Sequence, residues 1–123
     1  NRFIPIVINA CKKNHDFPCS SGLQFRDFLY INDAIEAVRK SLNNKKVIGK
    51  IINVASGKPI QLKKIINFIK KKIKGGRPIF GKIKLRKDEP IKIYSQNKRA
   101  KNLLNWKIKN SFFYDLNKTL NDY

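Results

Sequence analysis

Apolar positions recur along the chain in two rhythms, helical spacing and short continuous runs, and these set the expected elements. Phe3, Val7, Ala10 and Cys11 fall on one helical face, with Pro5 in the first turn, where its missing N–H does no harm. Leu62, Ile65, Ile66, Ile69 and Ile73 repeat the pattern more strongly. Lys63, Lys64, Asn67, Lys70, Lys71 and Lys74 face away from them, Phe68 lies off the stripe, and Gly75-Gly76 should stop the helix. A helix from about Asp33 to Leu42 should bury Ile35, Val38 and Leu42 and turn Glu36, Arg39 and Lys40 outward. Asn97 should cap a short helix through Leu104. Ser111 should cap a last one whose Phe112, Phe113, Leu116, Leu120 and Tyr123 share a face.

The continuous runs read as strands. Phe28 to Ile31 predicts a short strand buried on both faces, ended by Asn32, a good N-cap for the next helix. Asn43 to Lys46 reads as a loop, and Lys50 to Val54 as a second strand, closed by Ser56-Gly57. Phe17-Pro18-Cys19 suits a short edge strand, where a proline is tolerated. Pro78 to Pro90 has no helical period and reads as extended and irregular, and Trp106 as an anchor for the returning chain. After the first helix the order is strand, helix, strand, helix, irregular segment, helix, helix, which is an α/β pattern.

Length and composition narrow the classes. The 123 residues suffice for one modest domain with a core, taken as a single unit over residues 1–123. Met is absent and the chain opens on Asn1, so it is read as a fragment or processed piece. No apolar run is long enough for a membrane-spanning helix. Cys11 and Cys19 make no framework and read as reduced structural thiols of a cytoplasmic protein. His15 is the only histidine, so the inventory offers no zinc site and no metal is expected.

The charge changes the picture most. Lys and Arg total 28 against 8 acids, a net +20. Such a balance suggests nucleic acid or another anionic surface. Only Arg2, Arg26, Arg39, Arg77, Arg86 and Arg99 are arginines, however, and the lysines are spread through every segment. That is a chain-wide bias, read as a solvated lysine surface whose stems cover apolar edges. A basic nucleic-acid-binding module remains the rival class.

Candidate chemistry centres on Gly22-Leu23-Gln24-Phe25-Arg26-Asp27-Phe28, followed by Asn32-Asp33. Arg26 and Asp27 stand at the mouth of the expected strand. They could form a local ion pair or cap, or Arg26 could be a guanidinium held rigidly to grip an anion. This stretch resembles the Gly-x-Gln-x-Arg-Asp-Phe/Tyr signature of the extended short-chain dehydrogenase/reductase family, the nucleotide-sugar epimerases, dehydratases and reductases. Three further matches follow in family order. Ile52-Asn53-Val54-Ala55-Ser56-Gly57-Lys58-Pro59 resembles an Asn-hydrophobic-Gly-Ser/Thr-Gly-Lys turn, with Ala55 where glycine is usual. Arg86-Lys87-Asp88-Glu89 resembles an Arg-x-x-Glu/Asp element. Lys101-Asn102-Leu103-Leu104-Asn105-Trp106-Lys107 resembles the Lys-x-x-Leu-Gly-Trp-x-Pro element, with Asn105 for glycine.

The resemblance implies the C-terminal substrate-binding lobe of a Rossmann-type enzyme, with the N-terminal dinucleotide-binding lobe missing. By motif position, Arg26 and Arg86 would lie near the nucleotide diphosphate, and Glu89 would accept hydrogen bonds from the ribose. Phe17 to Cys19 would occupy the place where similar enzymes run a strand past the base. The parent enzyme would use NAD or NADP and take a nucleotide-sugar, with a homodimer as one assembly open to it; neither specific nucleic acid nor a membrane is implied as partner. No catalytic residue is assigned to this chain. It carries no glycine-rich dinucleotide loop, and its one Tyr-x-x-x-Lys spacing, Tyr114 with Lys118, stands downstream of all the substrate elements. The departures at Ala55 and Asn105 leave a non-catalytic remnant as a further alternative.

Overall fold

The computed structural model describes residues 2–123. In chain order the elements are α1 (Phe3–Lys12), β1 (Asp16–Pro18), β2 (Phe25–Arg26), α2 (Ile31–Leu42), a 3-10 turn (Lys45–Val47), β3 (Ile60–Gln61), α3 (Leu62–Ile73), β4 (Arg77–Ile79), β5 (Lys92–Ile93), α4 (Lys98–Leu104) and α5 (Phe112–Asp122). The α/β character expected from the pattern is present. Two compact units emerge: the residues up to Arg26 with Ile60–Lys92 and Tyr123, and Asp27–Pro59 with Ile93–Asp122.

The first unit is built on α1 against α3. Val7, Ile8 and Cys11 from one helix and Ile65, Ile66 and Ile69 from the other are buried, as their spacing requires. The helices approach closely beside Gly76, where an added Cβ would meet the Cys11 backbone at 2.8 Å. Lys74, in the left-handed conformation at φ 58, ends α3 one residue before the glycine pair.

The segment expected to be irregular begins with a strand. β4 pairs in parallel with β1, Phe17 opposite Pro78, and Arg77 grips Asp16 through Nε at 2.9 Å and again through Nη2. Pro18 and Pro78 are tolerated because this sheet has only two strands, so each has a free edge. Local periodicity could not reveal a pairing between residues some 60 apart.

The expected strand at Phe28–Ile31 is corrected. The strand, β2, lies earlier, at Phe25–Arg26, antiparallel to β3 with Arg26 opposite Ile60. Phe28 to Tyr30 are half-buried and irregular, and Ile31 already opens α2. Asn32 is therefore inside the helix, and Tyr30 holds the N-cap position without a side-chain bond. The second expected strand, Lys50–Val54, is also absent. It has no sheet partner among the described residues, and Ile51 is 81% exposed.

In the second unit the core gathers on Trp106, which is 1% exposed, with Ala37, Ala100 and Leu104 around it and Leu29, Val47, Ile52 and Ile108 at its margin. The expected buried stripe of α2 is reversed. Ile35 and Val38 are each 57% exposed and Leu42 73%, while Asp33 and Ala37 face inward. Asn97 does precede α4, but its amide donates to the carbonyls of Ala55 at 3.0 Å and Ser56 at 3.2 Å instead of capping the helix. Ser111 does accept from the Tyr114 amide, at 3.3 Å.

Candidate anion-binding site

Within the first unit, the turn Ser20–Gly22 leads into β2 and fixes where Arg26 points. Gln24 is buried, its side-chain amide bonded to the Ser20 hydroxyl at 3.2 Å, and its carbonyl accepts from the Leu62 amide at 2.9 Å. Gly22 at φ 72 runs so close to Lys63 that an added Cβ would sit 2.9 Å from the lysine Cβ. These contacts hold the backbone that leads into Phe25.

Arg26 is then tied at three points. Its Nη1 donates to the carbonyls of Phe25 at 2.8 Å and Pro90 at 3.0 Å, and its Nη2 to Oε1 of Glu89. The segment beyond Glu89 is docked on β2 through the Phe25 amide and the Ile91 carbonyl, 2.7 Å apart. Arg86 reaches the other carboxylate oxygen, Nη2 to Oε2, at 3.4 Å, and a turn bond from the Glu89 amide to the Arg86 carbonyl closes at 3.1 Å. The three residues named from the sequence are therefore brought to one place, across some 60 residues of chain. They differ in exposure. The Arg26 and Glu89 side chains are 20% and 18% exposed, whereas Arg86 is 83% exposed. Arg26 is a fixed wall of the site and Arg86 a solvent-facing arm.

The neighbouring carboxylate in sequence has a separate task, in the second unit. Asp27 Oδ1 accepts from the Ser56 amide, and Oδ2 from the Gly57 amide, both at 2.9 Å, with the Ser95 amide at 3.4 Å. It organises the Ser56-Gly57 turn and is not the ion-pair partner of Arg26. Sequence reasoning missed this role, although the Arg-Asp and Ser-Gly motifs that meet here were each visible. Ala55 is outside the left-handed region, so the glycine usual there is not needed for conformation. Asn105, at φ 47, does occupy that region, which asparagine tolerates better than other side chains.

None of the glycine turns among the described residues opens a helix. Gly22 leads into β2 and Gly76 into β4. No helix among the described residues is long and apolar enough to cross a membrane.

Residues 1–55 match the NAD dependent epimerase/dehydratase family. A CDP-abequose synthase of Salmonella muenchen is 37% identical over 90 residues, which is 72% of this chain and 31% of that protein. Among solved structures, epimerase Mth375 from Methanothermobacter thermautotrophicus superposes with a TM-score of 0.90 at 20% identity, over 98% of this chain and 36% of its own. UDP-glucuronic acid 4-epimerase from Bacillus cereus, solved in complex with UDP-glucuronic acid and NAD, gives 0.86 at 24% identity, over 98% of this chain and 39% of its own. The chain thus spans about a third of the length of the relatives it matches.

Proposed function

We propose, for a chain that belongs to the NAD dependent epimerase/dehydratase family of extended short-chain dehydrogenases/reductases, the role of nucleotide-sugar-binding lobe in an NAD(P)-dependent epimerase, dehydratase or reductase. The observation that carries this reading is the convergence of Arg26 and Arg86 on Glu89. A nucleoside diphosphate presents planar arrays of anionic oxygens, and arginine matches them with paired donors that stay charged. Arg26 would hold one phosphoryl group from a fixed position and Arg86 would close on the other. Glu89 would accept from the ribose hydroxyls, and the β1 backbone would run beside the base.

NAD or NADP in the parent enzyme would supply hydride transfer at a hexose carbon. In this reading the site for it lies outside this chain, whose own part is binding and orientation. Grip on a remote diphosphate restrains the attached sugar and helps place its reacting carbon. The exposed α2 stripe of Ile31, Ile35, Val38 and Leu42 supports a lobe-like role, because it leaves an apolar face for the dinucleotide-binding part to cover. The relatives' length fits such a second part.

Calorimetric titration of the chain with UDP- and CDP-sugars at near-physiological salt tests the reading. Saturable binding that is clearly weakened in Arg26→Ala supports it. Binding indifferent to Arg26, or driven wholly by low salt as a +20 chain alone would show, overturns it.

A further inference from the structure

The two assignments made for Glu89 compete. Each oxygen of Glu89 already receives one arginine, Arg26 closely and Arg86 at 3.4 Å, so a ribose and a diphosphate both meet groups that are partly engaged with one another. The geometry points to one resolution, which rests on the binding role proposed above: Glu89 is a built-in counter-ion that selects for multiply charged ligands by occupying both arginines until a diphosphate displaces it.

The charge balance supports selection. Two guanidiniums and one carboxylate leave a net charge of about one at the site. A singly charged anion that replaced Glu89 would exchange one carboxylate-like contact for another and lose binding entropy, with no gain in charge pairing. A diphosphate brings at least two charges and enough oxygens for both arginines, so displacement favours it. Geometry makes the exchange feasible. Arg26 keeps its bonds to the Phe25 and Pro90 carbonyls when Glu89 leaves, so the wall of the site stays in position. Arg86, being largely exposed and held only at 3.4 Å, can swing to the ligand without breaking packing. The released Glu89 sits three residues along the same turn and is then the acceptor available to the ribose.

The test uses the 123-residue chain, inorganic pyrophosphate, and acetate as a singly charged competitor, by calorimetry at constant ionic strength. Pyrophosphate lacks a ribose, so it isolates the counter-ion role. Glu89→Gln should bind pyrophosphate about fivefold tighter, the factor for roughly 1 kcal/mol of ion pair no longer broken. Acetate should compete in Glu89→Gln and leave the wild-type protein unaffected. Pyrophosphate binding in Glu89→Gln equal to or weaker than wild type, or acetate without effect on it, overturns the counter-ion role. Arg26→Ala reports on the underlying site. If it binds pyrophosphate like wild type, the anion site itself is wrong. If it loses binding while Glu89→Gln fails to tighten, only the role of Glu89 falls.

Discussion

The indole N–H of Trp106 donates to the backbone carbonyl of Asp33 at 2.8 Å, with both residues buried. This bond joins the start of α2 to the segment after α4. It also explains why the ring is nine-tenths or more enclosed, since a buried indole needs an acceptor. Trp106→Phe should keep most of the apolar contact and orphan one carbonyl, a loss of about 1–3 kcal/mol. Trp106→Ala should cost about 3–5 kcal/mol, a large part of a small domain's stability. Urea unfolding followed by circular dichroism would check both. A Trp106→Ala protein as stable as wild type would mean that the core of the second unit lies elsewhere.

Asp33 carries a pH dependence of definite sign. Burial holds its carboxyl above the ordinary range, the Lys109 amide and charge oppose this, and Asp115 pushes further upward. Its Oδ2 has no hydrogen-bond partner. Folding therefore favours the protonated form more than the unfolded chain does. The contribution of Asp33 to stability is complete below the unfolded value, about 3.9, and is lost as pH rises through the raised folded one. Asp33→Asn should remove that slope and be the more stable protein at neutral pH. Unfolding midpoints measured from pH 4 to pH 7 check it, and parallel curves for the two proteins would contradict it.

How much of this was legible follows from the kind of information each feature needs. α1, α3 and α5 were readable because their apolar periods are long and local. The face of α2 differs from the periodic expectation for a physical reason. Periodicity tells which side of a helix is apolar, but not what covers it, and here Ala37 and Asp33 turn to the Trp106 core while Ile35 and Leu42 stay exposed. β2 was displaced because it has only two residues, too few to show a period. The pairing of β1 with β4 is non-local and left no local trace. Arg26, Arg86 and Glu89 were nameable through motif resemblance alone. That they meet depends on the Phe25–Ile91 bond, which no spacing rule contains.

The α2 correction makes its own prediction. Ile35→Asn should change stability by no more than about 0.5 kcal/mol, as for an ordinary surface position. Ala37→Leu, two residues on, should cost about 1–3 kcal/mol by overpacking the wall beside Trp106. Thermal unfolding of the pair would show whether the buried face has been identified. The original expectation from periodicity requires the opposite order.

Lys74 offers a stabilising change. It holds φ 58 at the end of α3, and its amide donates to the Lys70 carbonyl at 2.9 Å. A left-handed conformation costs a non-glycine residue about 1–2 kcal/mol, partly returned by glycine's greater freedom when unfolded. Lys74→Gly should raise stability by up to about 1 kcal/mol, and Lys74→Val should lower it. A melting temperature that moves the same way in both variants would show that the strain is relieved elsewhere.

The last prediction separates the two arginines, whose surroundings assign them different costs. Arg26 has three acceptors and is mostly covered, and Glu89 beside it is equally covered. Arg26→Ala should weaken nucleotide-sugar binding by about 1–3 kcal/mol, the worth of hydrogen bonds to a charged group. It should also lower the stability of the chain, because two carbonyls and a shielded carboxylate lose their donor. Arg86 is exposed and its pair with Glu89 is long, so its pair contributes little to the fold. Arg86→Ala should weaken binding by a similar amount and leave the unfolding midpoint where it was. Lys45→Ala, away from every motif, is the control for charge removal. The ligand arm is read by calorimetry and the stability arm by urea unfolding of the same preparations. Loss of stability in Arg86→Ala equal to that in Arg26→Ala would contradict the picture of a fixed wall and a free arm. Unchanged binding in both variants would remove the site itself.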